Sequence, residues 1–212
     1  MHCPLCLQNH SAHFEKDRLR DYFKCQVCQL VFVPPDQLPT PSEEEERYRL
    51  HQTHDDDEGY LVFVQSFMEQ LKQRVVKAEK GLDYGSGPTP LFSSTLRKEG
   101  YSLAIYDPFF ANDPKLLTDR YDYITCVETV EHFHHPRAEW EQFKKLTKPE
   151  GWIAVKTSLL HDQIEFKSWY YKGDITHVCF YTKETFEWIG RTFGFRPEFE
   201  GASSIFLRHL GG

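Results

Sequence analysis

Cys3-Pro4-Leu5-Cys6 and Cys25-Gln26-Val27-Cys28 are two C-x2-C pairs with 18 residues between them. Two knuckles of this kind bring four thiolates to the corners of a tetrahedron, the arrangement preferred by a structural zinc ion. With all four positions taken by protein sulfur, no position remains for water, so the expected metal, held by Cys3, Cys6, Cys25 and Cys28, is structural. About thirty residues bury too little apolar surface to fold alone, and metal binding supplies the difference. Paired disulfides are the other reading. They fit poorly with an N-terminus that lacks the charged and apolar stretches of a signal peptide. Cys126 and Cys179 stand singly in strand-like contexts and are expected in the core.

A second constellation begins at Leu82-Asp83-Tyr84-Gly85-Ser86-Gly87-Pro88-Thr89-Pro90. Glycines at a strand-to-helix turn let a ligand approach the backbone closely. The third glycine of a dinucleotide fingerprint is missing, and Asp83 would repel a pyrophosphate while suiting a ligand amine. Twenty residues beyond Gly87, the run Leu103-Ala104-Ile105-Tyr106 ends in Asp107, where a carboxylate can take both hydroxyls of a ribose. Glu128, Glu131, His132, His134 and His135 cluster farther on. A metal site is one chemistry open to them, and contact with cofactor and substrate fits better. The plain alternative is a polar loop capping the helix at Pro136. His177, in an aromatic stretch from Trp169 to Tyr181, has the near-neutral pKa of a general base. A structural histidine is equally compatible with that position.

These residues need a scaffold, and the patterning provides one. Strands are predicted at Gly81–Tyr84, Ser102–Tyr106, Tyr123–Val127, Trp152–Thr157, Glu198–Gly201 and Ser204–His209. Helices are predicted at Pro90–Lys98, Pro136–Thr147 and Lys183–Phe193, and a further helix begins at Tyr60, with Leu61, Val64, Met68, Leu71 and Val75 on one face. Such alternation implies an α/β fold with a mostly parallel sheet covered on both faces. The last two strands lie too close for a crossover helix, so the final strand must run antiparallel. Residues 1–33 form the expected four-cysteine zinc ribbon, 34–59 an acidic, Pro-rich linker, and 60–212 the α/β domain. Four prolines in residues 34–41 argue against a helix or a central strand there, so the stretch is expected to be a linker. Ser42 is a suitable cap for a short helix through Tyr48 and Leu50. The linker is either a solvated connector or a flap over a pocket, using Tyr48, His51 and Tyr60.

The net charge is −7, and residues 34–60 alone account for −7, with two basic and nine acidic residues. The flanking parts carry +1 and −1, without the basic excess of a protein that neutralises many phosphates, so nucleic acid is disfavoured as a partner. No apolar run is long enough to span a membrane, and a cytoplasmic location is the expectation. Oligomeric state has no signature in the sequence.

From about residue 60 onward the chain resembles the class I (Rossmann-like) S-adenosylmethionine-dependent methyltransferases. Asp83-Tyr84-Gly85-Ser86-Gly87 is similar to their first motif, and Asp107 to their ribose-binding acid. The run from Asp122 to His132 resembles their fourth strand and following turn, in the branch related to ubiquinone-biosynthesis O-methyltransferases. Lys148-Pro149-Glu150-Gly151-Trp152 is similar to the turn before the fifth strand. Two departures stand out. Thr89 occupies the place of a third glycine, and only fourteen residues separate Asp107 from Asp122, so the third helix and strand must be abbreviated. The resemblance implies S-adenosylmethionine as cofactor, bound by Asp83, Tyr84, Gly85, Gly87, Asp107, Pro108 and Glu128. It also implies methyl transfer to a small-molecule acceptor at O or N, with His177 or His132 as the base for a hydroxyl. RNA nucleobase methylation, or a non-catalytic partner-binding module that kept the fold, are the alternatives.

Overall fold

A computed structural model describes residues 1–50 and 58–211 of the chain. Near the N-terminus, strands β1 (Ser11–Lys16), β2 (Asp21–Cys25) and β3 (Val31–Phe32) pair antiparallel in that order and carry the cysteine turns. Helix α1 (Pro41–Leu50) follows the proline-rich stretch. Its cap is Thr40, not Ser42: Thr40 donates from its N–H and hydroxyl to Glu43 Oε2 at 2.8 and 2.7 Å, and its hydroxyl accepts from the Glu43 N–H. This reciprocal capping box starts the helix at Pro41 and leaves Ser42 inside its first turn. Helix α2 (Glu58–Lys72) buries Val64, Phe67, Met68 and Leu71, the three-and-four spacing of one helical face.

The remaining elements are β4 (Lys80–Tyr84), α3 (Leu91–Lys98), β5 (Ser102–Tyr106), β6 (Tyr121–Val127), α4 (Pro136–Leu146), β7 (Thr147–Lys156), β8 (Cys179–Phe180), α5 (Lys183–Phe193), β9 (Phe195–Glu200) and β10 (Ser204–His209). The main sheet has the order β5-β4-β6-β7-β10-β9. The pairs among β4, β5, β6 and β7 are parallel, while β10 runs antiparallel to both β7 and β9. Between Asp107 and β6 there is one 3-10 turn, Pro114–Thr118, and β5 therefore forms the sheet edge. Side chains alternate across the sheet. Ile153, Val155, Ile205 and Leu207 face Trp140, Phe143 and Phe186 of α4 and α5. Ala154 and Phe206 face Phe67 and Phe92 of α2 and α3. Cys126 and Cys179 are both core residues. Among the described residues no helix is long and apolar enough to cross a membrane.

The N-terminal strands do not stand apart. β3 pairs antiparallel with β8, matching Val31 to Phe180 and Phe32 to Cys179, so a four-stranded sheet includes both parts of the chain. Tyr22 meets Phe166 and Phe180 edge-on, at ring distances of 4.9 and 5.8 Å. Arg20 is buried and reaches the loop before β8. Its Nη1 donates to the carbonyls of Ile175 and His177 at 2.7 and 3.0 Å, and its Nη2 to those of Lys172 and Asp174 at 2.8 and 3.2 Å.

Asp83 ties β4 to its neighbours. Thr125 of β6 donates to its carboxylate at 2.8 Å, and Ser93 of α3 donates to the other oxygen. Burial pushes its pKa up to about 6, against the hydrogen bonds from Ser93 and Thr125, which favour the charged form. An unfolded Asp titrates near 4. The folded state thus holds the proton more tightly, and the stability from Asp83 present at low pH is lost as pH rises through about 6.

Two outcomes follow. Arg20→Ala, read by urea unfolding, is expected to lower stability by roughly 2–3 kcal/mol while keeping a single transition. Separate transitions for the N-terminal strands and the main sheet would contradict the shared packing. Asp83→Asn is expected to gain on the wild type between about pH 4.5 and 6.5 and level off above that range. A stability difference constant over the whole range would mean that Asp83 titrates normally.

Candidate active site

The carboxyl ends of β4, β5 and β6 border a cavity of about 780 Å³. The strand order reverses direction between β4 and β6, the place where open α/β sheets leave a crevice for ligands. Gly85 has φ +78°, and a Cβ built there would sit 2.1 Å from Thr129 Cγ2, so a side chain has no room. Gly87 has φ +69°, and its Cβ position is open for 4 Å around, so its missing side chain exposes backbone to the cavity. The Gly87 N–H donates to Asp107 Oδ2 at 2.9 Å, while the N–H groups of Phe109 and Phe110 donate to Oδ1 at 2.9 and 3.1 Å. Asp107 thereby fastens the glycine turn to the end of β5 and still lines the cavity beside Pro108. Tyr84 and Tyr106 form an aromatic wall with rings 5.1 Å apart, and the Tyr84 hydroxyl donates to Glu139 Oε2 at 2.6 Å.

The other end of the cavity is built on the turn after β6 and the loop before β8. Glu128 has φ +48° and donates its N–H to Lys156 O at 2.8 Å. The Tyr171 hydroxyl bridges two acids, lying 3.1 Å from Glu128 Oε2 and in a short contact with Glu131 Oε1. Thr157 donates to Glu131 Oε2 at 3.1 Å. Burial raises the pKa of both acids, and the charge of Glu128 raises that of Glu131 further. His132 Nδ1 lies 3.1 Å from Thr176 O and His177 Nδ1 lies 2.6 Å from Tyr171 O, with the two rings 4.7 Å apart. Tyr48 of α1 packs edge-on against His132 and Phe109 at 5.2 and 5.5 Å. Arg47 of the same helix reaches Asp174 at 3.0 Å.

Most of the residues singled out in the sequence therefore meet at one cavity: Tyr84, Gly85, Gly87, Asp107, Pro108, Glu128, His132 and His177. Asp83 does not. Its carboxylate is turned into the sheet toward Ser93 and Thr125, because a buried acid needs those donors more than a ligand needs the acid. Of the possible flap residues, Tyr48 and Tyr60 line the cavity, and His51 lies outside the described residues. Sequence reading missed Glu139, Tyr171, Asp174 and Arg47. Tyr171 carried a signal, lying in the aromatic stretch that contains His177, but nothing local pairs it with two distant glutamates. Among the described residues, the cavity lining includes the carboxylates of Glu44, Asp107, Glu128, Glu139 and Asp174 against the single guanidinium of Arg47.

A family model described as a methyltransferase domain matches residues 59–198, well over half of the chain. The fold is similar to that of human N-acetylserotonin methyltransferase solved with SAM, at TM-score 0.56 and 14% identity, covering 81% of this chain and 57% of that one. It is also similar to a SAM-dependent methyltransferase from Methanosarcina mazei (TM-score 0.52, 10% identity, 68% of this chain and 98% of that one). A Pyrococcus horikoshii protein is comparable, with TM-score 0.51 and 15% identity, covering 79% of this chain and 99% of that one. At such identities the likeness is one of fold. No curated protein sequence matches the chain. The family match spans the glycine turn, Asp107 and the histidine-bearing turns, and on that evidence the chain belongs to the methyltransferase domain family.

Proposed function

We propose that the protein transfers a methyl group from S-adenosylmethionine to a small-molecule acceptor. The observation that carries this reading is the Asp107 carboxylate, held by three backbone N–H groups at the cavity edge beside an open glycine backbone. The lone pair that remains on Oδ2 suits a ribose hydroxyl. The lining chemistry fits the rest of the molecule: the donor carries a positive sulfonium and an amine, and the charged side chains around it are predominantly acidic. A pyrophosphate would meet the same carboxylates unfavourably.

When bound, the sulfonium supplies an electrophilic methyl group. The chain's task is then placement and exclusion of water. Gly85 and Gly87 admit the methionine end, while Tyr84, Tyr106 and Pro108 wall the nucleoside. Glu128 sits where the donor and acceptor ends of the cavity join. Aligning nucleophile, carbon and sulfur is worth on the order of 7–11 kcal/mol, which needs rigid walls more than a strong base. His132 and His177 face the acceptor end. The size and aromatic lining of the cavity favour a small molecule, and neither α1 nor the loop before β8 presents a basic stripe.

We further propose a structural zinc at the cysteines. The sulfurs of Cys3 and Cys28 are 3.5 Å apart, those of Cys6 and Cys25 are 3.4 Å apart, and all four lie within 4.8 Å of one another. A disulfide needs about 2.05 Å. Tetrahedral ligands at a Zn–S distance of about 2.3 Å sit about 3.8 Å apart, close to this spacing.

Calorimetry with S-adenosylhomocysteine is expected to show one site, weakened by roughly 1.5–3 kcal/mol in Asp107→Asn. Equal affinity in that variant would move the ribose site elsewhere. Once an acceptor is known, His177→Ala should lower turnover far more than it lowers S-adenosylhomocysteine affinity. Equal turnover would make His177 structural. Cobalt substitution at the cysteines should give thiolate charge-transfer absorption that Cys25→Ser weakens, and its absence in the wild type would rule out a metal held by the four thiolates.

A further inference from the structure

We propose that Arg20 is a positioning residue for the cavity and that metal at the cysteines governs it. The loaded N-terminal strands hold the loop carrying Tyr171 and His177, and metal release frees that loop while leaving the Asp107 end in place.

Among the described residues, none before Glu44 lines the cavity. Six residues of the loop before β8 do: Tyr170, Tyr171, Gly173, Asp174, Thr176 and His177. All four Arg20 acceptors, the carbonyls of Lys172, Asp174, Ile175 and His177, belong to that same segment. Four N–H groups on two terminal nitrogens meet four carbonyls, so the grip fixes a backbone shape and not one contact. That shape also orients a ring. The carbonyl of Tyr171 accepts from His177 Nδ1 at 2.6 Å, across the turn that Arg20 holds. Beyond it, the Val33 N–H donates to Val178 O at 2.9 Å and continues the grip into the pairing of β3 with β8.

Arg20 is set in turn by the cysteine turns. Its N–H and that of Leu19 donate to Asp17 Oδ1 at 2.9 and 2.8 Å, and β2 runs from the next residue to Cys25. β2 meets β3 through two matched pairs, Phe23 with Phe32 and Lys24 with Val31, which is too little to hold alone. The turn from Cys25 to Leu30 closes it: the Cys25 N–H donates to Leu30 O at 2.9 Å and the Gln29 N–H to Cys25 O at 3.1 Å. Gln29 there, and Leu7 at the other cysteine turn, sit at φ +62° and +63°, a region unfavourable for side chains other than glycine. A metal on the four thiolates joins the two turns and offsets that strain. Without it β3 is loosened, and β8 has no other strand partner among the described residues. The Asp107 end has separate support, in the N–H groups of Gly87, Phe109 and Phe110 and the parallel pairing of β4 with β5 and β6. One unit can therefore open while the other stays folded.

The metal control rests on the zinc reading above. Its consequence rests on the methyl-transfer reading: metal at the cysteines governs acceptor placement and not donor binding.

The test compares the full chain carrying zinc at its cysteines with the same chain stripped by a chelator under a thiol reductant. In spectra of nitrogen-labelled histidine, the His177 Nδ1–H signal is expected in the loaded chain and lost in the stripped one. Amide exchange over residues 166–178 should be at least tenfold faster after stripping, with exchange in β4, β5 and β6 and S-adenosylhomocysteine affinity within twofold. Added zinc should restore the loop. Arg20→Ala, still holding one zinc per chain, should show the same loop changes. Millimolar guanidinium should reverse them, which a general loss of stability would not allow. Unchanged loop exchange in both samples, or equal acceleration in β4, β5 and β6, would overturn the proposal. Loop changes in Arg20→Ala alone, or a wild type without cysteine-bound metal, would overturn the metal control and leave Arg20 as the positioning residue. The expected loop changes without S-adenosylhomocysteine binding in the loaded chain would sink the methyl-transfer reading and leave the coupling standing.

Discussion

The end of the cavity built on the loop before β8 depends on one buried guanidinium. Arg20 gathers the carbonyls of Lys172, Asp174, Ile175 and His177 around its two terminal nitrogens. Four carbonyl dipoles aimed at one point repel one another unless a cation sits between them, and each would cost about 1–3 kcal/mol if buried without a donor. The curl of this loop is therefore set by a residue in the connection between β1 and β2, more than 150 positions earlier in the chain. The cysteine-bearing strands are thus part of the site's scaffold, although among the described residues they contribute no side chain to the cavity lining.

The strand pairing reinforces this arrangement. β8 is two residues long and is held by β3 on the same side where Arg20 grips the loop. Tyr22 closes the seam with Phe166 and Phe180, and its hydroxyl donates to Asp17 at 2.6 Å, an acid that also meets Lys172 at 3.1 Å. Burial works against the Asp17 charge, but the bonds from Tyr22 and from backbone N–H groups outweigh it and hold its pKa well below the usual carboxylate range. A charged, fully bonded Asp17 is what keeps Lys172 in place.

The acids of the cavity divide by what they bond to. Asp107 accepts three backbone N–H groups, so its charge is supported by the protein before any ligand arrives. Glu128 and Glu131 share one phenol and lie in a dry environment that disfavours charge. The first environment suits hydrogen bonding to neutral hydroxyls. The cavity thus has two chemically different ends joined at Glu128, with α1 closing one side through Tyr48 and Arg47.

Much of this was legible in the residues themselves. Alternation with period two and period 3.6 is a local property, so the strands of the main sheet, α4 and α5 could be read directly, as could the antiparallel last strand from its short connection. Positive-φ turns demand glycine, which made Gly85 and Gly87 visible. Four cysteines in two C-x2-C pairs point to one cluster at any tertiary arrangement that brings the pairs together. The orientation of Asp83 was not legible, because whether an acid at a strand end faces a ligand or the sheet depends on which hydroxyls lie behind it, here Ser93 and Thr125. Nor were the pairing of β3 with β8, the Arg20 clamp, the bridge from Tyr171 to Glu128 and Glu131, or the meeting of His132 with His177. Each joins residues about 40 or more positions apart, and no sequence spacing encodes such contacts. The loop before β8, fastened to the turn after β6 by the Val178 N–H and gripped by Arg20, brings them together.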